Sequence, residues 1–386
     1  MESIIHIMNF NHTSFSLNET AEFLEKNFSF INSSTVAIDL QEHSPYYGEY
    51  LNHFRNSYGS VHGYLTFLVC IFGITANVLN IIVLTRKSMV SPTNAILTGL
   101  AVADMLVMSS YLPFTVHNYI RQDLTEQEKF SYGWGIFTLC HAHFTVVNHT
   151  ISSWLTVTVA VWRFMAVSFP ARNTVLCSMA RAKLAIFATY LTCAVFCIPV
   201  YLTFTVSKFL GNDGEVMYRV DFSEIAQRDD KLLERINFWL FSVLTKLVPC
   251  IALTVLSLSL VRVLYEANLR RQRLKNRVEN DKTHDRTTRM LLAVLLLFLL
   301  TEFPAGLLAL LSGILGSDFF NNVYLNFGET MDALALINSA INFIIYCTMS
   351  RQFRDTFKLL FFPKCVTSQG TIPSVEPSRT VATSLV

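Results

Sequence analysis

Long apolar stretches, interrupted by short polar connections, dominate the chain. A hydrocarbon core of ~30 Å takes about 20 residues of helix. Runs of that order fall at roughly 60–85, 94–120, 136–164, 182–206, 236–265, 287–316 and 325–350, which makes seven. The second, third and seventh carry many polar residues, so they are expected to face a bundle interior rather than lipid all round. After the last run, "RQFRDTFKLLFF" puts Phe353, Phe357, Leu360 and Phe361 on one helical face, with Arg351, Arg354 and Lys358 elsewhere. That pattern predicts a helix lying on the membrane surface. Between the fourth and fifth runs, "VMYRVDF" alternates Val216, Tyr218, Val220 and Phe222 with Met217, Arg219 and Asp221, and "GNDG" before it supplies a turn, so a β-hairpin is predicted. The expected fold is an all-α membrane protein. An N-terminal segment (1–59) precedes a seven-helix transmembrane bundle (60–350), which is followed by an amphipathic surface helix (351–362) and a disordered tail (363–386).

Composition supports this reading. The chain is 52% hydrophobic and 15% charged, with 31 Phe, against about 25% charged residues in soluble domains. A net charge of +2 does not suggest a nucleic-acid binder. The basic residues fall on one side of the seven runs: Arg86 and Lys87; Arg172, Arg181 and Lys183; the cluster from Arg262 to Arg289; then Arg351, Arg354, Lys358 and Lys364. The positive-inside rule makes that side cytoplasmic and the N-terminus extracellular, as in a multi-pass plasma-membrane protein. Four glycosylation sequons, at Asn11, Asn18, Asn27 and Asn32, lie on the outer side and agree. Asn148 also opens a sequon, but inside the third run. The start of the chain shows no signal-peptide pattern, so the first run is expected to act as the membrane signal. Cys70, Cys193, Cys197, Cys250 and Cys347 lie in the runs and are expected to pack as small hydrophobes. Cys177 and Cys365 are cytoplasmic and stay reduced, and Cys365 is a candidate for palmitoylation.

Polar side chains inside the runs are costly and carry the candidate mechanism. Asn77, Asp104, Asn338 and Asn342 are expected to meet in the bundle core, either as a switch or as helix-packing hydrogen bonds. Arg163 sits at the cytoplasmic end of the third run, where chemistry alone suggests a snorkelling arginine. At ~1.5 Å per residue, Glu302 lies about 18 Å from the outer surface and Lys246 about 15 Å, on neighbouring helices. A Lys246–Glu302 pair follows from those depths, with Pro304 as a hinge beside it. Two other readings stand next to it: a protonated Glu302 bonded within its own helix, or a Glu302 joined to the Asp104 network.

These residues together resemble the rhodopsin-like G-protein-coupled receptors over about residues 60–362. Asn77 matches the first-span asparagine. Asp104 in "LAVAD" matches the second-span aspartate, which implies a sodium site there. "WRF" stands for Asp-Arg-Tyr, which implies that Arg163 contacts a heterotrimeric G protein, and "NFIIY" stands for Asn-Pro-x-x-Tyr, which implies a switch at Asn342 and Tyr346. Pro249 and Pro304 fit the fifth- and sixth-span prolines. The departures are Trp162 in place of the acid, Phe343 in place of the seventh-span proline, Tyr190 near a usual tryptophan, and Glu302 at the tryptophan toggle in "TEFP". "WRF", "TEFP" and "NSAINFIIYCTMSRQFR" are most similar to invertebrate myosuppressin and FMRFamide-like neuropeptide receptors. Cys140 lies near the outer end of the third run, but the loop at about 207–235 holds no cysteine, so the family's disulfide cannot form within this chain.

The resemblance implies an amidated neuropeptide as ligand and arrestin as a further partner, with no enzymatic chemistry. It adds a further role for Glu302, direct binding of the peptide's arginine. A cationic peptide needs carboxylates, and Asp213, Glu215, Asp221, Glu329 and Asp332 lie on the outer side, with Glu329 and Asp332 on one helix face. His117, Asn118, His141 and His143 are expected to line the mouth. Thr367, Ser368, Thr371 and Ser374 are kinase candidates, and the terminal "TSLV" fits a PDZ ligand. A receptor for a small amine or lipid is the alternative within the fold, and a polytopic transporter the alternative outside it. The seventh run holds no lysine for retinal, and no inverted repeat marks a transporter.

Overall fold

A computed structural model of the chain describes residues 48–211, 214–228, 232–274, 281–315 and 319–362. Asn11, Asn18, Asn27, Asn32, Asp213, Cys365, the tail serines and threonines and the terminal "TSLV" lie outside the described residues.

Seven helices are long and apolar enough to cross a membrane. The first, α1 (Gly48–Leu84), starts well before the expected position near 60. The added turns are polar and aromatic, so hydropathy does not reveal them. Packing holds them helical: the Phe54 ring lies 5.4 Å from Phe327, and Tyr58 lies 5.5 Å from His62. Helix α2 (Pro92–Thr115) begins with Pro92 at its first position, where no backbone donor is lost, and Ser91 accepts the Asn94 amide at 3.1 Å. Beyond Pro113 it continues in wide π-type turns, Val116–Ile120. Helix α3 (Tyr132–Ser168) is capped by Ser131, and α4 (Met179–Phe196) by Ser178.

The fifth span, α5, runs as Leu232–Trp239, then π-type turns over Leu240–Leu247, then Val248–Leu274. Helix α6 (Asp281–Leu315) contains Pro304, α7 spans Leu325–Met349 without a proline, and α8 spans Arg351–Phe361. Helix α1 packs on α2 and α7, α3 touches α2, α4 and α5, and α6 fits between α5 and α7.

The amphipathic reading of the last segment becomes docking geometry. Phe353 of α8 is buried, and the Phe343 ring of α7 lies 6.0 Å from Phe353 and 5.8 Å from Phe357. Arg354 donates to the Cys347 and Thr348 carbonyls at 3.3 and 2.9 Å, which satisfies the open end of α7. Tyr190, near the usual tryptophan position, donates to the Gly99 carbonyl at 3.0 Å and so ties α4 to α2.

The predicted hairpin forms from β1 (Phe204–Leu210) and β2 (Val216–Phe222), paired antiparallel from Phe204 opposite Phe222 to Leu210 opposite Val216. Gly214 takes the φ of 77° that the turn requires. No disulfide holds the hairpin, since every cysteine among the described residues is free, Cys140 included. Noncovalent contacts replace it. Tyr218 donates its amide to the Phe130 carbonyl at 2.9 Å, and its ring meets Tyr132 edge-on at 5.0 Å. Phe130 meets Phe209 at 5.5 Å, and Val220 and Met217 are buried on opposite faces of the hairpin. Asp221, a candidate ligand contact by sequence, is turned to local work: it pairs with Arg219 at 3.4 Å and accepts the Phe222 amide at 2.8 Å.

Two outcomes are expected. A thiol reductant at concentrations that cleave surface disulfides leaves the Tm of the purified protein unchanged. Met217→Ala, which removes a buried side chain from the hairpin, costs about 2–5 kcal/mol of stability, read as a lowered Tm of the purified protein.

A buried charge cluster at the cavity floor

The wide turns of α5 deliver Lys246 into the bundle three residues before Pro249. Such π-type segments add a residue per turn and rotate the helix downstream of them, which is how they place a side chain that a regular helix would turn away. Gly306 on α6 completes the approach: a Cβ there would sit 3.0 Å from Lys246 Cβ and 3.2 Å from Leu247. Glu302, one turn earlier on α6, therefore meets Lys246 at close range. Lys246 Nζ donates to Glu302 Oε2 at 2.7 Å, and the two side chains are 3% and 1% exposed.

The pair predicted from depth is thus present, and the readings of Glu302 as bonded within its own helix or joined to Asp104 are not what forms. A third member was missed by sequence. His149 Nε2 of α3 lies 3.1 Å from Glu302 Oε2 and 3.0 Å from Lys246 Nζ. Asn338 of α7 donates to the other carboxylate oxygen, Oε1, at 3.4 Å. One carboxylate thus gathers α3, α5, α6 and α7. A signal for His149 does exist: His141, Thr145, His149 and Ser152 recur every three or four residues, a polar stripe along one face of α3. The α6 hinge is adjacent, because Pro304 has no amide to offer the Leu300 carbonyl.

Above the cluster lies a cavity of about 40 Å³ lined by Tyr111, His149, Phe241, Lys246, Asp332 and apolar neighbours. Asp332 accepts the Tyr111 hydroxyl at 3.2 Å. The other residues expected at the mouth or on the outer side make local contacts. Glu329 is buried where α1, α2 and α7 meet and accepts from the Tyr119 hydroxyl at 3.4 Å. His141 is buried, bonds the Ser110 hydroxyl at 2.8 Å and stacks on Phe114 at 4.6 Å. His117 stacks on Trp134 at 3.5 Å, Asn118 donates to the Phe114 carbonyl at 3.1 Å, and His143 turns toward Tyr201 of the fourth span at 4.9 Å. Each of the three histidines packs against an aromatic ring and keeps a buried Nε2 without a hydrogen-bond partner among the described residues.

Toward the α8 end, the expected single network of asparagines and Asp104 divides. Asp104 accepts from Ser152 at 2.6 Å and from Asn342 at 3.1 Å. Asn77 instead donates to the Gly73 and Ser339 carbonyls, both at 3.0 Å, and Asn338 turns up to Glu302. Each short amide reaches only about one helical turn, so one carboxylate cannot hold all of them. Tyr346 is buried against Phe353, with ring centroids 5.7 Å apart. Arg163 has no ion-pair partner among the described residues. Trp162, in place of the acid, is buried in the apolar core beside α8, and the Cys177 thiol, pushed up by burial, donates to its carbonyl at 3.7 Å.

The cluster makes a sharp prediction. Lys246→Met or Glu302→Gln alone leaves one buried group without its ionic partner and costs about 3–5 kcal/mol. The double variant is more stable than either single one, and a thermal-melt double-mutant cycle reads that coupling. Additive losses would show that the two residues do not act together.

The geometry has relatives. The family model for the serpentine-type 7TM GPCR chemoreceptor Srw matches residues 64–364. The chain is similar to the G-protein coupled receptor dmsr-1 of Caenorhabditis elegans, at 30% identity over 86% of this chain and 74% of that protein. It is also similar to the sex peptide receptor of Drosophila melanogaster, at 29% over 81% and 74%, and to the FMRFamide receptor of the same organism, at 25% over 78% and 54%. Seven spanning helices and a match over most of the length give one conclusion: the chain is a multi-pass plasma-membrane protein of the seven-transmembrane G-protein-coupled receptor family, and not an enzyme.

Proposed function

We propose that this receptor is opened from outside the cell by an amidated, FMRFamide- or myosuppressin-like neuropeptide and passes a helix rearrangement to a heterotrimeric G protein, with its N-terminus extracellular. The observation that carries the reading is the Lys246–Glu302–His149 cluster directly beneath the cavity. A cavity of about 40 Å³ takes on the order of two or three waters. A peptide side chain therefore enters only if α5, α6 and α7 part, and those are the helices the cluster ties together. The ligand's differential affinity for the parted state supplies the shift. Names of the relatives support a peptide ligand, and the hairpin over the bundle mouth suits one.

At the opposite end, separation of α5 and α6 frees Arg163 for the G protein. Arrestin on the tail, a PDZ protein at Ser384 and Val386, and a lipid chain on Cys365 belong to the same proposal. So does an allosteric sodium ion at Asp104. The residues fit one: the Asp104 carboxylate and the Ser152 hydroxyl, both oxygen donors, are joined there. Bound, a sodium ion would supply a positive charge to the Asp104 carboxylate.

Expression in cells with a promiscuous G-protein readout, against amidated peptides, free-acid peptides, biogenic amines and lysolipids, tests the reading. Amidated peptides are expected to be potent and the other classes inactive; an amine or lipid agonist would replace it. An epitope at the N-terminus is expected to stain on unpermeabilised cells. Arg163→Ala is expected to lose G-protein signalling by at least about tenfold with surface expression retained. Trp162→Asp, which restores an acid beside Arg163, is expected to lower basal signalling several-fold.

A further inference from the structure

Two carboxylates, Glu329 and Asp332, share a face of α7 and look equivalent in sequence. The structure separates them. Glu329 is 6% exposed, takes the Tyr119 hydroxyl at 3.4 Å, and packs so closely on α1 that a Cβ at Gly59 would lie 3.3 Å from its Oε2. It is a closing group for the corner where α1, α2 and α7 meet. Asp332 lines the cavity that His149 and Lys246 floor. Its carboxylate is aimed by the Tyr111 hydroxyl at 3.2 Å, and Tyr111 is itself fixed edge-on between Phe114 at 5.5 Å and His141 at 5.4 Å.

Resting on the peptide-receptor reading above, we propose that Asp332 is the residue that recognises the ligand's positive charge, a guanidinium or ammonium side chain, and that Glu329 takes no part in it. The rest of the cavity sets the ligand's other requirement. Asp332 stands six residues before Asn338, the α7 side chain that bonds Glu302, so the two backbone positions are offset by about 9 Å along the helix at ~1.5 Å per residue, while Asp332 and Lys246 line one small cavity. A ligand that uses both carries a cation and a hydrogen-bonding end no more than about 9 Å apart. A short peptide with a basic side chain near a blocked terminus has that layout. Lys246 and Glu302 already match each other at the floor, so the end that reaches them is a neutral hydrogen-bonding group. Tyr111 is a positioning residue: it acts by holding the carboxylate.

The experiment uses the most potent arginine-containing amidated peptide of the panel and its citrulline analogue, which keeps the shape and drops the charge. Both are titrated on the parent, Asp332→Asn and Glu329→Gln, with surface expression measured in parallel. In the parent, citrulline lowers potency about 10- to 100-fold, the range for losing a charge-assisted hydrogen bond. In Asp332→Asn the two peptides become equipotent within about threefold. Glu329→Gln lowers surface expression or thermal stability and keeps the parent's ratio. A parent-like ratio in Asp332→Asn, or a collapsed ratio in Glu329→Gln, overturns the assignment while leaving the receptor reading intact. If no amidated peptide activates the parent, the receptor reading fails first and this assignment goes with it.

Discussion

A charge held at mid-bilayer has to be answered within a few ångströms, because no water is there to answer it. Lys246 and Glu302 meet that requirement for each other, and much of the surrounding architecture follows from the need to bring them together. The wide turns of α5 aim the lysine, Gly306 lets the two backbones close in, and Asn338 and His149 occupy the rest of the carboxylate's surroundings. The arrangement costs hydrophobic packing, since a buried ion pair rarely outperforms well-fitted apolar side chains. What it provides is a link among four helices: parting α5 from α6 leaves two unmatched charges, and moving α3 or α7 takes a hydrogen-bonding partner from the pair. Glu302 and Pro304 set a buried ion pair and a gap in the backbone ladder two residues apart on the same helix.

The helix count, the hairpin and the ion pair were legible because each depends on a local pattern or on one depth. Hydropathy marks a lipid-facing run whatever its neighbours are, and alternation marks β2 even inside a membrane protein. The start of α1 was hidden because its first turns are polar and pack through Phe54 on Phe327 of another helix. The partners of His117, His141, His143 and Glu329 were hidden for a related reason. Position along a helix gives depth, whereas direction around it depends on neighbours such as Phe114, Trp134, Tyr201 and Gly59. His149 escaped notice because a histidine in a span gives no hint of its partners until α5 and α6 are in place.

Two departures from the receptor pattern also share a logic. The hairpin is fixed by Tyr132, Phe130 and buried Met217 and Val220 in place of a covalent bridge. Beside Arg163, an ion-pair brake gives way to an indole seated in the core with α8. In both cases directional bonding is exchanged for apolar area, which a chain that is 52% hydrophobic has in quantity. The cavity side keeps its polar groups and the two ends rely on packing, so the polar mechanism is concentrated at the middle of the bundle.

The aromatic residue at position 343 also changes how the last spanning helix works mechanically. A proline there would break the backbone ladder and supply a flexible joint. Without one, α7 is a continuous rod of 25 residues, about 37 Å long, and the same ring grips Phe353 and Phe357 of α8. A tilt begun near Asp332 therefore reaches the far leaflet undamped, and it drags the surface helix with it. In this chain, the amphipathic foot and the seventh span form a single crank.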